Sequence, residues 1–399
     1  MRRFEIAGGV LSEDDPALPA AIAAAYRDRL RPLCLCREPG IPMYVAAIGE
    51  QFVVKRMPLS GARHDPACDS YEPPVDLSGL APLMGSAIRL DPASGMAVLR
   101  LGFSLTRTGS RAAATLGVGE ATSVKSDVRR LSLRALMHLL WHEAGLTTWT
   151  SAWAGKRQWW NIRYHLIEAA KTMLVKDAPL SEGLLIPEPF RAANKDAIEQ
   201  RRALALSAAQ PRRAGPRKLM VLVGEIKEFQ PARGGCRLVV KHLPGFPFLL
   251  DDRAWVRVQA RFEAELALWT ADDPSHLIVI ATFGLSAAGL ASVEEIALMV
   301  VAENWVPYES ARELRLVEAL AKLREQSIKG LRYAAAPDQP IAAAVLMQRR
   351  PWPLALFVVP ASADEAYEAA LAEMIASRPE MDSWIWRADQ AEMPALPGR

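Results

Sequence analysis

Cys34-Leu35-Cys36 and His64-Asp65-Pro66-Ala67-Cys68 are the two stretches that decide how the N-terminal part of this chain is read. They gather three of the four cysteines and one histidine within 35 residues. The 27 residues between the pairs contain two β-prone runs, Met43–Ala47 and Gln51–Arg56, joined by Ile48-Gly49-Glu50. That pattern predicts a hairpin, which returns the chain to where it left and lets the pairs meet. Zinc takes thiolate and imidazole ligands as a closed tetrahedron, commonly delivered as two close pairs across a loop. The spacing therefore assigns Cys34, Cys36, His64 and Cys68 to one structural Zn²⁺ site. Four protein ligands leave no open position for catalysis. Asp65 stands ready as an acceptor for an imidazole N–H. The alternatives are unrelated thiols beside a histidine, or a redox role.

Working outward, 399 residues allow two or three domains. Half of them are apolar and 23% charged, a balance that favours globular folding over disorder. No run of 18 apolar residues occurs, and Met1–Ile6 leads into Glu13, Asp14 and Asp15 without a signal-peptide core. The expectation is a cytoplasmic protein with no membrane partner and no disulfide framework. The net charge of +3 is uninformative, but its distribution is not. Residues 120–218 hold 17 Lys/Arg against 9 Asp/Glu, an excess of +8 that leaves the rest near −5. A basic middle points to a local anionic partner.

The expected fold class is α+β or α/β, in four parts. Residues 1–115 form a zinc-stabilised hairpin module, with a helix over Pro16–Arg31 capped by Asp14 or Asp15 and a strand over Met96–Leu105. Residues 116–200 form a basic helical domain, 201–217 a basic linker, and 218–399 a mixed α/β domain. In the helical part, Leu133, Leu136, Met137, Leu140, Trp141 and Ala144 follow helical spacing up to the stop at Gly145. A second helix over Lys156–Leu174 buries Trp159, Ile162, Leu166, Ala170 and Met173. The pair resembles a helix-turn-helix unit. In the last part, strands are expected at Leu219–Ile226, Leu238–Lys241, Leu277–Phe283, Ile296–Val301, Ile341–Leu346 and Leu354–Val359. Helices are expected at Asp251–Trp269, Ser310–Glu325 and Asp364–Ala376.

The second helix carries a polar face of Arg157, Trp160, Asn161, Tyr164 and Lys171. Cations meet phosphate while Trp and Tyr stack on bases, so Lys156, Arg157, Trp160, Tyr164 and Lys171 are the candidate nucleic-acid contacts. The competing reading is a packed helical domain with a solvated face. His138 and His142 lack the glutamate of a zincin motif and read as a surface pair. Glu225-Ile226-Lys227 fits the Glu-x-Lys of metal-dependent nucleases, yet no upstream acidic ligand stands out. An ordinary exposed strand face produces the same string. No nucleophile elbow, phosphate loop or dinucleotide fingerprint is present.

The spacing of the cysteine pairs resembles SWIM-type zinc domains, with the His and Cys of the second pair exchanged. Together with Arg56-Met57-Pro58 and His64 through Pro74, the opening is similar to a family of unknown function in proteobacteria, often carried on plasmids and integrative elements. Ala154-Gly155-Lys156-Arg157, Val223-Gly224-Glu225 and Lys329-Gly330-Leu331-Arg332-Tyr333 extend that resemblance over nearly the whole chain. It implies a mobile-element setting and a DNA or RNA partner, and no catalytic residue. The sequence thus favours a zinc-stabilised nucleic-acid-binding or accessory protein. A metal-dependent nuclease built on Glu225 and Lys227, or a scaffold for a protein partner, are the alternatives.

Overall fold

The computed structural model describes residues 2–107, 129–210, 216–271, 274–336 and 338–398. At the N-terminus, five strands form one sheet in the order Gly9–Ser12, Arg3–Ile6, Leu33–Cys34, Ile41–Ile48, Gln51–Arg56. The expected hairpin is its edge: Met43 pairs with Arg56 and Ile48 with Gln51, and Gly49 turns at φ 63°. That left-handed backbone is where glycine carries no Cβ penalty. Helix α1 (Leu18–Arg27) lays Leu18, Ile22 and Ala25, one face at i, i+4 and i+7, on the sheet residues Phe4, Ile6, Ile41 and Met43. Asp15 does not cap the helix end itself; its carboxylate accepts from Ala17 N–H at 2.8 Å one turn earlier. The strand expected over Met96–Leu105 shortens to Ala97–Leu99.

Helix α2 (Leu133–Glu143) starts where the Ser132 hydroxyl accepts from Ala135 N–H at 3.2 Å, and stops before Gly145 at φ 77°. Helix α3 (Trp159–Lys171) begins later than expected, leaving Lys156 and Arg157 in the connector. The two do not make a helix-turn-helix. That motif needs a turn of three or four residues, whereas residues 144–158 separate these helices and include a strand, Thr148–Trp149, paired with Ser327 and Ile328. Helix α4 (Lys195–Leu206) takes up the start of the expected basic linker, so Arg201 and Arg202 are helical. Arg217–Lys218 pairs with Thr106–Arg107, while Arg212 and Arg213 lie outside the described residues.

The next five strands close on themselves. They are Met220–Ala232, Gly235–Val240, Phe248–Asp251, His276–Leu285 and Ala291–Val301, barrel strands one to five. Strand one pairs antiparallel with two, two with three, four with five, and four again with one. Strands three and five pair in parallel, Phe248 with Ala291, which closes the circuit in the order 1-2-3-5-4-1. Strand one serves both neighbours by bending: a bulge between Ile226 and Glu228 passes it from strand four to strand two. Helices α5 (Asp252–Arg261) and α6 (Glu263–Ala271) fill the connection from strand three to strand four, and the Asp251 carboxylate caps α5 through Ala254 N–H at 2.7 Å.

A last sheet runs Thr148–Trp149, Ser327–Lys329, Ala344–Leu346, Leu354–Val358, Asp382–Trp386, flanked by α7 (Ala311–Lys322) and α8 (Glu365–Ala376). Its final pair is parallel, and α8 makes the crossover. The largest buried cluster runs from Leu80 to Tyr333 and joins α2, α3 and the barrel. Trp141 is fully buried in it, its indole N–H donating to Trp305 O at 3.1 Å. Pairings such as Leu184–Leu185 with Val221 and Leu222 cross the boundary expected near residue 200. The architecture is mixed α+β.

Candidate metal centre

Cys34 ends the short central strand of the N-terminal sheet, and Cys36 follows in the turn. His64 follows a 3-10 turn (Gly61–Arg63), and Cys68 N–H bonds back to Asp65 O at 2.8 Å. The fold brings all four ligand atoms within 4.8 Å of one another, with Cys34 and His64 buried. Cys34 Sγ and Cys68 Sγ are 3.8 Å apart; His64 Nδ1 is 3.3 Å from Cys36 Sγ and 3.8 Å from Cys68 Sγ. A tetrahedron with metal–sulfur bonds of 2.3 Å has sulfur–sulfur edges of about 3.8 Å and sulfur–nitrogen edges of about 3.6 Å. The donor set fits a metal ion of that size.

The backbone prepares the same site for thiolates. Asp65 N–H donates to Cys36 Sγ at 3.5 Å, Cys36 N–H reaches Cys34, and Ser70 N–H reaches Cys68. The contact between Cys34 and Cys68, with the His64 imidazole and the Ser70 amide, lowers the Cys68 thiol, while the same contact and burial raise that of Cys34. Asp65 does not support the imidazole as expected: its carboxylate accepts from Ala67 N–H at 2.9 Å and shapes the turn. Among the described residues, His64 Nε2 is buried without a hydrogen-bond partner.

Behind the metal loop lies a polar seam that the sequence did not announce. Glu72 is ion-paired with Arg56 and accepts from His142 Nε2 at 3.1 Å. Burial works against the charged His142 imidazole, but Glu72 outweighs it and raises the pKa. His138 and His142 are therefore not a surface pair. His138 is 3% exposed, with its ring edge-on to Tyr333 at 5.7 Å. Lys55 donates to Ala144 O at 3.2 Å and lies 3.1 Å from His165 Nδ1; burial lowers its pKa to about 8. These contacts dock the hairpin onto α2 and α3.

The candidate nucleic-acid residues divide. Lys156, Trp160 and Lys171 are exposed and Tyr164 is half-buried. Trp160 lies edge-on to Tyr164, beside the hairpin turn at Gly49, and Lys171 is paired with Glu168 at 2.6 Å. Arg157 turns inward and is removed from the phosphate contacts. Its guanidinium donates to the carbonyls of Leu146, Asn304, Gly145 and Thr148. Asn161 is buried as well.

The Glu225–Lys227 pair also separates. The bulge after Ile226 leaves Lys227 63% exposed beside Glu228, whereas Glu225 is 5% exposed. Glu225 Oε1 instead accepts from Lys241 Nζ and His276 Nδ1, both at 2.6 Å. Among the described residues, no second cluster of three metal-ligating side chains exists to accompany it. Lys241 lies 16 residues downstream of Glu225, and neither it nor His276 carries a sequence signal that joins it to that carboxylate. No helix among the described residues is long and apolar enough to cross a membrane. No curated protein and no solved structure matches the chain. Its sequence matches over residues 4–389 the family described as "Protein of unknown function (DUF1173)", and the chain belongs to that family.

Proposed function

We propose that this protein is a zinc-stabilised binder of single-stranded nucleic acid. The observation that carries the reading is the barrel. Five strands in the order 1-2-3-5-4-1, with strands three and five parallel and helices between three and four, are the connectivity of the oligonucleotide- and oligosaccharide-binding barrel. Such barrels hold single strands over the face of strands two and three and the loops beside it. Here that side presents Lys227, Arg233, Arg237 and Lys241, all exposed, against Glu228 and Asp251. The excess of cations favours a polyanion over a neutral sugar. Zn²⁺ in the Cys34–Cys36–His64–Cys68 tetrahedron holds the N-terminal module in shape and supplies no chemistry to the ligand. A plasmid or integrative-element setting, implied by the family resemblance, belongs to the same proposal.

Fluorescence anisotropy with 20-nucleotide single-stranded DNA, single-stranded RNA and duplex DNA tests the reading. Three or four phosphate contacts should cost roughly 20- to 50-fold in affinity between 50 and 200 mM salt. A K227E/R233E/R237E variant should bind at least tenfold more weakly. No binding at low salt, or equal binding by the variant, rejects the proposal. Metal analysis of the purified chain should return about one zinc, absent in Cys68→Ser; a metal-free, fully folded wild type would reject the zinc assignment.

A further inference from the structure

The Glu225 cluster has the build of an acid–base centre. The carboxylate accepts a hydrogen bond from His276 Nδ1–H, which leaves Nε2 as the basic nitrogen of the ring. The imidazole lies flat on Trp305, centroids 4.2 Å apart at 17°. Trp159 is 6.0 Å from Trp305 and 6.1 Å from His242, so four rings run in series from His276 to His242. Trp159 is fixed by its N–H to Pro187 O at 2.8 Å, and the loop carrying Trp305 by Arg157 to Asn304 O at 3.0 Å. Trp305 and His242 hold φ of 65° and 68°, a region that bulky side chains rarely adopt. Such backbone persists where the surroundings over-determine it, and it gathers at working sites. Glu225 is closed off, yet His276 keeps 21% and Lys241 44% of its side chain exposed. An oriented base and a cation thus reach solvent at the edge of a cationic barrel face.

The hydroxyls of Ser275 and Tyr308 hydrogen-bond each other at 2.8 Å. Resting on the single-strand reading above, we propose that His276, Lys241 and Glu225 form a general-base centre that cleaves single-stranded RNA through its own 2′-hydroxyl. His276 Nε2 takes the 2′-OH proton as the 2′-oxygen bonds to the adjacent phosphorus. The bond from phosphorus to the 5′-oxygen breaks, and that oxygen takes a proton from water. The hydroxide left behind receives the proton held by His276, so no water is consumed. The products are a 2′,3′-cyclic phosphate and a 5′-hydroxyl. The Lys241 ammonium faces the charge that builds on the phosphoryl oxygens. Glu225 is a positioning residue that fixes the ring and its tautomer.

The test incubates the zinc-loaded full chain with 5′-labelled 20-nucleotide RNA and DNA of one sequence, without added divalent cation, and identifies the ends by mass spectrometry. RNA should be cut to 2′,3′-cyclic phosphate ends and DNA left intact. His276→Asn should slow cutting by about 10²- to 10⁴-fold. Glu225→Gln should lower kcat at least tenfold with KM within about twofold, a split that mere loosening of the fold would not produce. RNA that is bound but uncut overturns this inference and leaves the binding reading standing; absence of binding overturns both. Equal cutting of DNA, or full-rate cutting by His276→Asn, overturns the mechanism. If His276→Asn fails to fold by circular dichroism, the products and the RNA–DNA contrast in the wild type decide.

Discussion

Arg157 illustrates how far a side chain's neighbours in sequence can mislead about its partners in space. Beside Gly155 and Lys156 it reads as a phosphate contact, yet burial lowers its pKa to about 10 and four main-chain carbonyls surround it. Removing the guanidinium strands those buried acceptors, so Arg157→Met should cost about 2–4 kcal/mol in urea unfolding. Lys156→Met, at an exposed position, should stay within about 0.5 kcal/mol. Equal costs would show that Arg157 holds nothing together. The four candidate metal-binding residues were legible for the opposite reason: thiol and imidazole side chains are scarce, and their spacing survives folding. The Glu225 trio was half legible, because Glu225 stood out while Lys241 and His276 join it only across the sheet.

At the level of elements, the helical and strand periods located most pieces and misjudged their surroundings. Every residue assigned to the apolar stripe of α2 is buried, but so are Ala135, His138 and Leu139 on the other side. The helix packs against barrel strands four and five and also meets Tyr333, and a single-face pattern cannot show a second neighbour. Four of the five barrel strands were recognised one by one and Phe248–Asp251 was missed, whereas the closure depends on pairings such as Phe248 with Ala291 that no local pattern encodes. One tight point of that closure can be tested. Gly235, at φ 149° at the start of strand two, would place a Cβ 1.9 Å from Leu250 O. Gly235→Ala should therefore destabilise by about 3 kcal/mol or more. Gly234→Ala, with nothing within 4 Å, should cost only about 1 kcal/mol from its positive φ. Indistinguishable melting temperatures for the two would contradict the barrel geometry.

Across the whole molecule, buried titratable groups set a pH limit. Burial holds the His138 imidazole down to about 3, with Arg134 adding to the effect, and burial holds His165 at about 3 as well, with Lys55 adding. An unfolded chain binds protons at these histidines below about pH 6.5 while the folded one does not, so stability is lost progressively from there towards pH 3. Glu309 works in the same direction lower down: burial opposes its charge, but Arg134 and Arg332 hold it near 2, so its contribution fades as pH falls from about 4.5 to 2. The urea midpoint should drop clearly between pH 7 and pH 5, and less steeply in His165→Gln; a flat profile would contradict the burial. The sequence by itself determined the four candidate metal-binding residues, the hairpin that unites them, and most helices and strands, because spacing and local period are written in neighbouring residues. Only the tertiary structure decided that the strands close into a barrel, that Arg157 and His138 face inward, and that Glu225 meets His276 and Lys241. Those outcomes depend on which distant surfaces bury one another, and that information is carried by no single stretch of the chain.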